Sequence, residues 1–160
     1  MLFYLCLGGN VGDTRHYLEK AVEQIGRRIG KVFRKSAIFE SEPWGFSAER
    51  NFLNQVVAVS SELEPAEVLS TCLQIEAEQG RVRNGTGYQS RCIDIDIIFI
   101  DSLIIDTPRL KVPHPLMQDR KFVLMPLCGI APDFVHPVFG KTVRQMLDEC
   151  GDKSKCVPAG

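Results

Sequence analysis

An excess of charge of either sign is missing from this chain: 19 Lys plus Arg stand against 20 Asp plus Glu, a formal net charge of -1. Without a global basic field there is no non-specific hold on nucleic acid or an anionic membrane, so anion binding has to come from local clusters. Long apolar runs are also missing. The first one, Leu2 to Leu7, has no basic residue before it and is too short for a signal or membrane segment, and no other approaches ~18 residues. The six cysteines (Cys6, Cys72, Cys92, Cys128, Cys150, Cys156) contain no C-x-x-C pair and no zinc-ligand spacing. Several stand inside apolar runs, as small buried thiols do, so a reducing, cytoplasmic setting without disulfides is expected. Internal repeats, linkers and low-complexity tracts are lacking too. A chain of 160 residues, 44% hydrophobic and 24% charged, can close its own core, which excludes disorder or coiled coil as a reading of the whole.

What is present is an alternation of β-prone and helical segments. Leu2 to Leu7 reads as a strand ended by Gly8-Gly9-Asn10. With Asp13 or Thr14 as cap, Leu18, Ala21, Val22, Ile25 and Ile29 fall at helical spacing and predict a helix of about four turns, with Gly30 past its end. Val32 to Ser41 reads as a more polar strand running into the loop Glu42-Pro43-Trp44-Gly45-Phe46. Phe52 to Leu63 is β-rich, with Phe52, Asn54, Val56 and Ala58 on one face and Leu53, Gln55, Val57 and Val59 on the other. Glu64-Pro65 opens a second helix that Val68, Leu69, Cys72, Leu73, Ile75 and Glu76 carry to Gly80. Arg81 to Arg91 has no apolar period and holds Gly85 and Gly87, the composition of a mobile loop. Ile93 to Ile100 is the next strand, with Leu103 to Ile105 as a short hairpin partner; helices follow around Phe122 to Cys128 and from about Thr142 to Cys150. The order predicts one α+β domain over residues 1–160: a ferredoxin-like sandwich, its mainly antiparallel sheet covered by helices.

The strongest chemical signal is Ile93-Asp94-Ile95-Asp96-Ile97-Ile98-Phe99-Ile100. Period two puts Asp94 and Asp96 on one face, ~7 Å apart along the strand, together with Ile98 and Ile100, while Ile93, Ile95, Ile97 and Phe99 take the other. A face that is acidic at one end and apolar further along is partly buried and opens into a cleft. Two hard carboxylates at that spacing suit Mg²⁺; an amphipathic strand with a polar outer end fits equally. Just before it, Arg81, Arg83 and Arg91 bracket a glycine-bearing loop, and guanidinium forks match phosphate oxygens. The alternative is a basic surface loop. In Val112-Pro113-His114-Pro115 two prolines stiffen the loop that aims His114, with Arg120 beyond; a loop histidine can also be merely exposed. Phe52 and Asn54 share a strand face next to Trp44, which supplies the stacking ring and amide edge that a flat heteroaromatic ligand needs, although core packing accounts for the same pair. Gly8-Gly9-Asn10 with Gly12 matches neither common glycine-rich phosphate loop and reads as a tight strand-to-helix turn.

In this order the pieces resemble the 6-hydroxymethyl-7,8-dihydropterin pyrophosphokinase family of folate synthesis. The likeness runs through Leu7-Gly8-Gly9-Asn10, Ser41-Glu42-Pro43-Trp44-Gly45, Phe52-Leu53-Asn54, Ile75-Glu76 with Gly80-Arg81-Val82-Arg83, Arg91-Cys92-Ile93-Asp94-Ile95-Asp96-Ile97, Val112-Pro113-His114-Pro115 and Arg120-Lys121-Phe122. The resemblance implies a ferredoxin-like fold and transfer of the β,γ-diphosphate of ATP to the pterin hydroxymethyl oxygen, leaving AMP. It implies Asp94 and Asp96 as ligands of two Mg²⁺ ions, with Arg81, Arg83, Arg91, His114 and Arg120 at the ATP phosphates and Arg81 and Arg91 also serving catalysis. Ile97, Lys111 and Val112 would line the adenine site. Asn54 would read the pterin edge, Phe52 and Phe122 would sandwich its ring, and Ser41, Pro43, Trp44, Gly45 and Asp94 would complete that pocket. Two departures stand out. Gly9 replaces the usual serine, and Tyr88-Gln89-Ser90 replaces the Trp-x-Pro that commonly precedes Arg91, which implies looser loop closure. Expected partners are the small molecules ATP and 6-hydroxymethyl-7,8-dihydropterin, with no nucleic acid, no membrane and a monomeric state. The rivals are a non-catalytic ferredoxin-like binding module and a metal-dependent phosphohydrolase; release of AMP separates the transferase from both.

Overall fold

A computed structural model describes residues 1–42, 51–79 and 92–159, together with the backbone of 82–83 and 89–90. Strand β1 (Leu2–Gly9) is buried beyond Leu2, which places it in the middle of a sheet. Asp13 then caps α1 (Thr14–Arg28), its carboxylate accepting from the His16 N–H at 3.3 Å, and Thr14, Leu18, Ala21 and Ile25 form the buried stripe. The segment expected as one strand over 32–41 is two, β2 (Lys31–Lys35) and β3 (Phe39–Ser41), laid in line along β4 (Phe52–Ser60). Ser36 makes the break: its hydroxyl accepts from the Val56 N–H and its carbonyl from the Gln55 side-chain amide, replacing regular ladder bonds.

Helix α2 (Pro65–Glu78) begins at the predicted boundary, with a Glu64–Glu67 capping box and proline in its first turn. Within the segment expected as a loop, β5 (Val82–Arg83) pairs with β6 (Gln89–Ser90). Strand β7 (Asp94–Ile100) pairs with β1 but slips register between Tyr4 and Leu5, so that Tyr4 faces Phe99 while Leu5 faces Ile97. The extra residue, Ile98, is a bulge that reverses the faces of the residues after it. Phe99 therefore joins the Asp94 face and Ile100 the opposite one, contrary to strict alternation. Leu103 to Ile105 does not return along this strand; instead β8 (Ile105–Asp106) pairs with β9 (Lys111–Val112). Asp101, at φ 45°, turns the chain, and its carboxylate accepts from the Leu2 N–H at 2.9 Å. A 3-10 turn (Met117–Asp119), α3 (Lys121–Ile130) and α4 (Val143–Glu149) come next, the last with a Thr142–Gln145 capping box. Strand β10 (Cys156–Pro158) was not expected, because three residues ending in proline carry no readable period; it sits on the sheet edge, where proline is tolerated.

The sheet runs β10-β3-β4-β1-β7 with β2 also on β4, every pairing antiparallel. On one face Phe3, Leu5, Leu7, Val57, Val59, Ile95 and Ile97 meet Leu18, Ala21, Ile25, Val68, Cys72 and Ile75 of α1 and α2. Truncating Leu18, which is wholly buried there, to alanine costs about 2–5 kcal/mol, a large share of a typical stability of about 5–15 kcal/mol. On the other face Tyr4, Cys6, Val56, Ala58, Ile98 and Phe99 meet Val123, Leu124 and Leu127 of α3 and Val143 and Met146 of α4. No helix among the described residues is long and apolar enough to cross a membrane.

His136 anchors the hairpin between α3 and α4. It is almost fully buried, stacks on Phe139 with centroids 4.1 Å apart, and its Nδ1 accepts from the Val138 and Phe139 N–H groups, each at 3.1 Å. Burial lowers its pKa below the ordinary value, so the folded state keeps a neutral ring that the unfolded chain protonates more readily. Its contribution is complete above the unfolded pKa of about 6.5 and is lost as pH falls from there through the lower folded value. His136→Asn retains an acceptor but cannot titrate. Urea unfolding at pH 7 and pH 5 is expected to reveal a lower stability at pH 7 from the lost ring contacts, yet a smaller loss on acidification than in the wild type. An equal acid loss in both proteins would remove His136 from the account.

Candidate active site

The two helices on the second face stop short. Among the described residues the helices pack over Cys6, Val56 and Ile98 but not over the next positions of the same strands, and a row set by strand register crosses that end: Phe39 opposite Asn54, Asn54 opposite Gly8, Gly8 opposite Asp94. Because residues alternate along each strand, Ser41, Phe52, Cys6 and Asp96 stand on the same face as this row. Together with Gly8, Asn54 and Asp94 of the row, and with Arg120 and Phe122 at the start of α3, they line an open cleft of about 190 Å³.

Three features give the cleft chemical character. Ser41 Oγ and Asn54 Oδ1 are buried and, among the described residues, have no hydrogen-bond partner. Such groups cost about 1–3 kcal/mol each unless a ligand or water satisfies them. Second, Asn54 lies tight against β1: a Cβ on Gly8 would come within 2.1 Å of its Nδ2, so only glycine leaves room for the amide. Gly9, where a serine is usual in the family that the sequence resembles, has no such room either, since its Cβ would meet the Cys92 carbonyl at 2.4 Å. Third, Asp94 and Asp96 both remain at the cleft, Asp94 half-buried and Asp96 exposed. Behind them the buried Glu76 of α2 accepts from the Ile95 N–H at 3.1 Å, fixing the strand between the two carboxylates.

The Arg120 guanidinium lies 5.6 Å from the centre of the Phe122 ring, a cation–π distance. His114 stands next to this group. Its backbone N–H donates to the Ile98 carbonyl at 3.0 Å and its ring Nδ1 accepts from the Leu116 N–H at 3.2 Å, which leaves Nε2 to carry the proton of the neutral ring. Burial pushes the His114 pKa down; Asp96 opposes and Arg120 adds to this. On the cleft floor burial, and then Asp96, push the Cys6 thiol far above its ordinary value, with a hydrogen bond from the Asn54 side chain offsetting part of it. Cys6 is thus a neutral wall atom and not a nucleophile.

The cleft brings together Ser41, Phe52, Asn54, Asp94, Asp96, Arg120 and Phe122 of the residues singled out by sequence. Ile97 and Val112 belong to the apolar cluster beneath α1 and α2, and Lys111 pairs with Asp106 on the surface of the β8–β9 hairpin. Pro43, Trp44, Gly45, Arg81 and Arg91 lie outside the described residues, as does the Arg83 side chain. Sequence reasoning missed the contributions of Cys6, Gly8 and Glu76. For Glu76 a signal existed, since it falls at i+4 from Cys72 on the apolar stripe of α2, where an unpartnered carboxylate would be costly.

A half-covered antiparallel sheet whose open end gathers two carboxylates, an amide, a guanidinium and two phenyl rings is the architecture of an enzyme acting on a small molecule. The family model described as 7,8-dihydro-6-hydroxymethylpterin-pyrophosphokinase (HPPK) matches residues 4–132. The chain is 44% identical over 140 residues to 2-amino-4-hydroxy-6-hydroxymethyldihydropteridine pyrophosphokinase of Porphyromonas gingivalis, covering 85% of this chain and 94% of the relative. It is 37% identical over 153 residues to the protein of that name from Aquifex aeolicus, covering 96% and 94%. The crystal structure of wild-type Plasmodium falciparum HPPK-DHPS superposes with a TM-score of 0.78 at 16% identity, covering 92% of this chain and 44% of that one, and so shares the fold. This chain belongs to the HPPK family and is an enzyme of the pyrophosphokinase class. Its sheet and helices form the expected α+β ferredoxin-like fold.

Gly8→Ala tests the geometry of the row. The added methyl is expected to expel the Asn54 amide and reduce pyrophosphokinase turnover at least tenfold with the far-UV circular dichroism intact. Gly129→Ala, whose Cβ meets nothing within 4 Å, is the comparison and is expected to leave turnover unchanged. Equal turnover in the two variants would detach Asn54 from activity.

Proposed function

We propose that this chain transfers the β,γ-diphosphate of ATP to 6-hydroxymethyl-7,8-dihydropterin, giving AMP and the pterin diphosphate in folate biosynthesis. The observation that carries this reading is the pair of buried oxygens on Ser41 and Asn54 that have no partner among the described residues, in a cleft that also holds Phe52, Phe122 and two carboxylates. A flat, amide-bearing heterocycle is the ligand that satisfies such a wall: its N–H groups donate to Asn54 Oδ1 and Ser41 Oγ while its ring packs against phenyl faces. The names of the relatives agree with it.

In the reaction the substrate hydroxyl oxygen bonds to the β-phosphorus, the bond from that phosphorus to the bridging oxygen on the α-side breaks, and AMP leaves with that oxygen while the hydroxyl proton is released. Asp94 and Asp96 fit Mg²⁺: hard oxygen donors at a partly exposed rim, two of them, which suits an ion that completes its shell with phosphate oxygens and water. Among the described residues no cluster of three His, Cys, Asp or Glu offers a closed metal cage. When bound, two Mg²⁺ ions would supply neutralisation of the diphosphate oxygens. Arg120 presents a guanidinium fork to the phosphates, and the neutral His114 presents its Nε2–H as a donor without adding charge. Arg81, Arg83 and Arg91 add positive charge from the segment before β7. By the family resemblance Pro43, Trp44 and Gly45 would complete the pterin side, and Ile97, Lys111 and Val112 would line the adenine side through their backbone, since the Ile97 and Val112 side chains are buried in the core.

Incubation with ATP, Mg²⁺ and the reduced pterin is expected to release AMP and no ADP; ADP or free phosphate would refute transfer of a diphosphate to the pterin. Asp94→Asn and Asp96→Asn are each expected to lower turnover more than a hundredfold, about 2.7 kcal/mol in the barrier, with thermal unfolding nearly unchanged because neither side chain is part of the core. Turnover retained within tenfold would reject them as metal ligands.

Asn54→Ala is expected to raise the pterin dissociation constant tenfold or more and leave the affinity for ATP alone. Equal losses for both ligands in paired titrations would point to a structural role. Arg91→Ala is expected to slow the chemical step in single-turnover quench experiments more than it weakens ATP binding, with Arg91→Lys recovering part of the rate because the charge is kept and the fork lost. A defect confined to ATP affinity would make Arg91 a binding residue only.

A further inference from the structure

We propose that Asp152 is a positioning residue for the reaction, holding the Arg120–Phe122 wall of the cleft in place from a C-terminal segment that ties this wall to the Ser41 wall opposite. The inference rests on the reading of the cleft as a pterin site. The N-cap residue of α3, Arg120, gives its helix no side-chain cap, so the first-turn N–H groups need partners from elsewhere. One partner comes from 31 residues along the chain: Asp152 Oδ2 accepts from the Lys121 N–H at 3.2 Å. The other carboxylate oxygen is also engaged, Oδ1 accepting from the Ser154 N–H at 2.9 Å and the Ser154 hydroxyl at 2.5 Å. Lys121 Nζ closes the loop by donating to the Ser154 carbonyl at 3.4 Å.

Lys121 lies between the two cleft residues Arg120 and Phe122, so fixing its amide fixes where both side chains leave the backbone. Two residues beyond Ser154 the segment becomes β10, in which Cys156 pairs with Ser41 of β3. Residues 152–156 therefore connect the α3 wall with the β3 wall, and the cleft width depends on that connection. Burial by itself would raise the Asp152 pKa, but the bonds from Ser154 and Lys121 hold it below the ordinary value, so the acceptor stays charged at neutral pH. The family match ends at residue 132, so no role for Asp152 is carried over from it.

The test uses the full chain. Wild type, Asp152→Ala, Phe122→Ala and the double variant are titrated with 6-hydroxymethyl-7,8-dihydropterin in the presence of Mg²⁺ and a non-hydrolysable ATP analogue. Asp152→Ala is expected to weaken pterin binding about tenfold, and in the Phe122→Ala background to weaken it less than twofold further, since a residue acting through Phe122 has nothing left to position. Asp152→Asn, which offers one acceptor oxygen in place of two, is expected to fall between wild type and alanine. Should Asp152→Ala fail to fold, Asp152→Asn and Ser154→Ala take its place, each expected to weaken binding about threefold. Wild-type affinity in the folded variants, or additive losses with Phe122→Ala, would overturn the positioning role. A wild type that binds no pterin would overturn the reading of the cleft, and the positioning role with it.

Discussion

Everything at the active end of the molecule depends on β1 lying between β4 and β7 with a glycine at position 8. Antiparallel pairing on both sides fixes Asn54, Gly8 and Asp94 side by side in one row. The missing side chain in the middle then provides the space into which the amide settles. Strand register is a collective property, for a slip of one residue would send Asn54, Asp94 and Asp96 to the apolar face together. The apolar alternation of Phe3, Leu5, Leu7, Val57, Val59, Ile95 and Ile97, buried beneath α1 and α2, prevents that slip. The hydrophobic core therefore sets the position of the polar site.

The two faces of the sheet are covered to different extents, and that difference creates the cleft. One face is sealed by two helices of 15 and 14 residues. The other is covered by helices of 10 and 7 residues, packed over the half that carries Tyr4, Cys6, Val56 and Phe99. The Ile98 bulge contributes here, since it rotates Phe99 toward α3 and α4, where it packs against Phe134 with centroids 4.5 Å apart. The short helices thus have an aromatic anchor at the closed end, and the acidic end of β7 is left open.

Buried polar groups divide into two kinds. Ser36, Ser61, Glu76 and His136 hydrogen-bond backbone groups of the protein, closing a strand break, a helix end, a strand and a hairpin. Ser41 Oγ and Asn54 Oδ1 have no such partner among the described residues, and both face the cleft. Polar groups that complete the fold are satisfied within it, whereas these two line the cleft. Residues of the same type thus serve opposite ends depending on what faces them.

Local periodicity was enough to read much of this from the sequence. The start of α1 at Asp13 or Thr14, the start of α2 at Glu64-Pro65, the buried stripes of α1 and α2, the two faces of β4 and the shared face of Asp94 and Asp96 all derive from spacings within a few residues. The family likeness rested on motifs just as local, and it extended to Phe52, Asn54, Arg120 and Phe122, which the structure gathers at one cleft. The bulge at Ile98, the break at Ser36, the separate β8–β9 hairpin and the edge strand β10 were not readable, because each depends on which partner a strand finds. The same holds for the contact between Asn54 and Gly8, for Glu76 behind β7 and for Asp152 at the start of α3, pairs that are 46, 19 and 31 positions apart and have no mutual pattern in the chain. Sequence determined which residues could serve as core, cap, ring, amide and carboxylate, since those capacities belong to side chains and their near neighbours. Tertiary structure alone decided which of them meet, because long-range pairing is fixed by the joint burial of many residues at once.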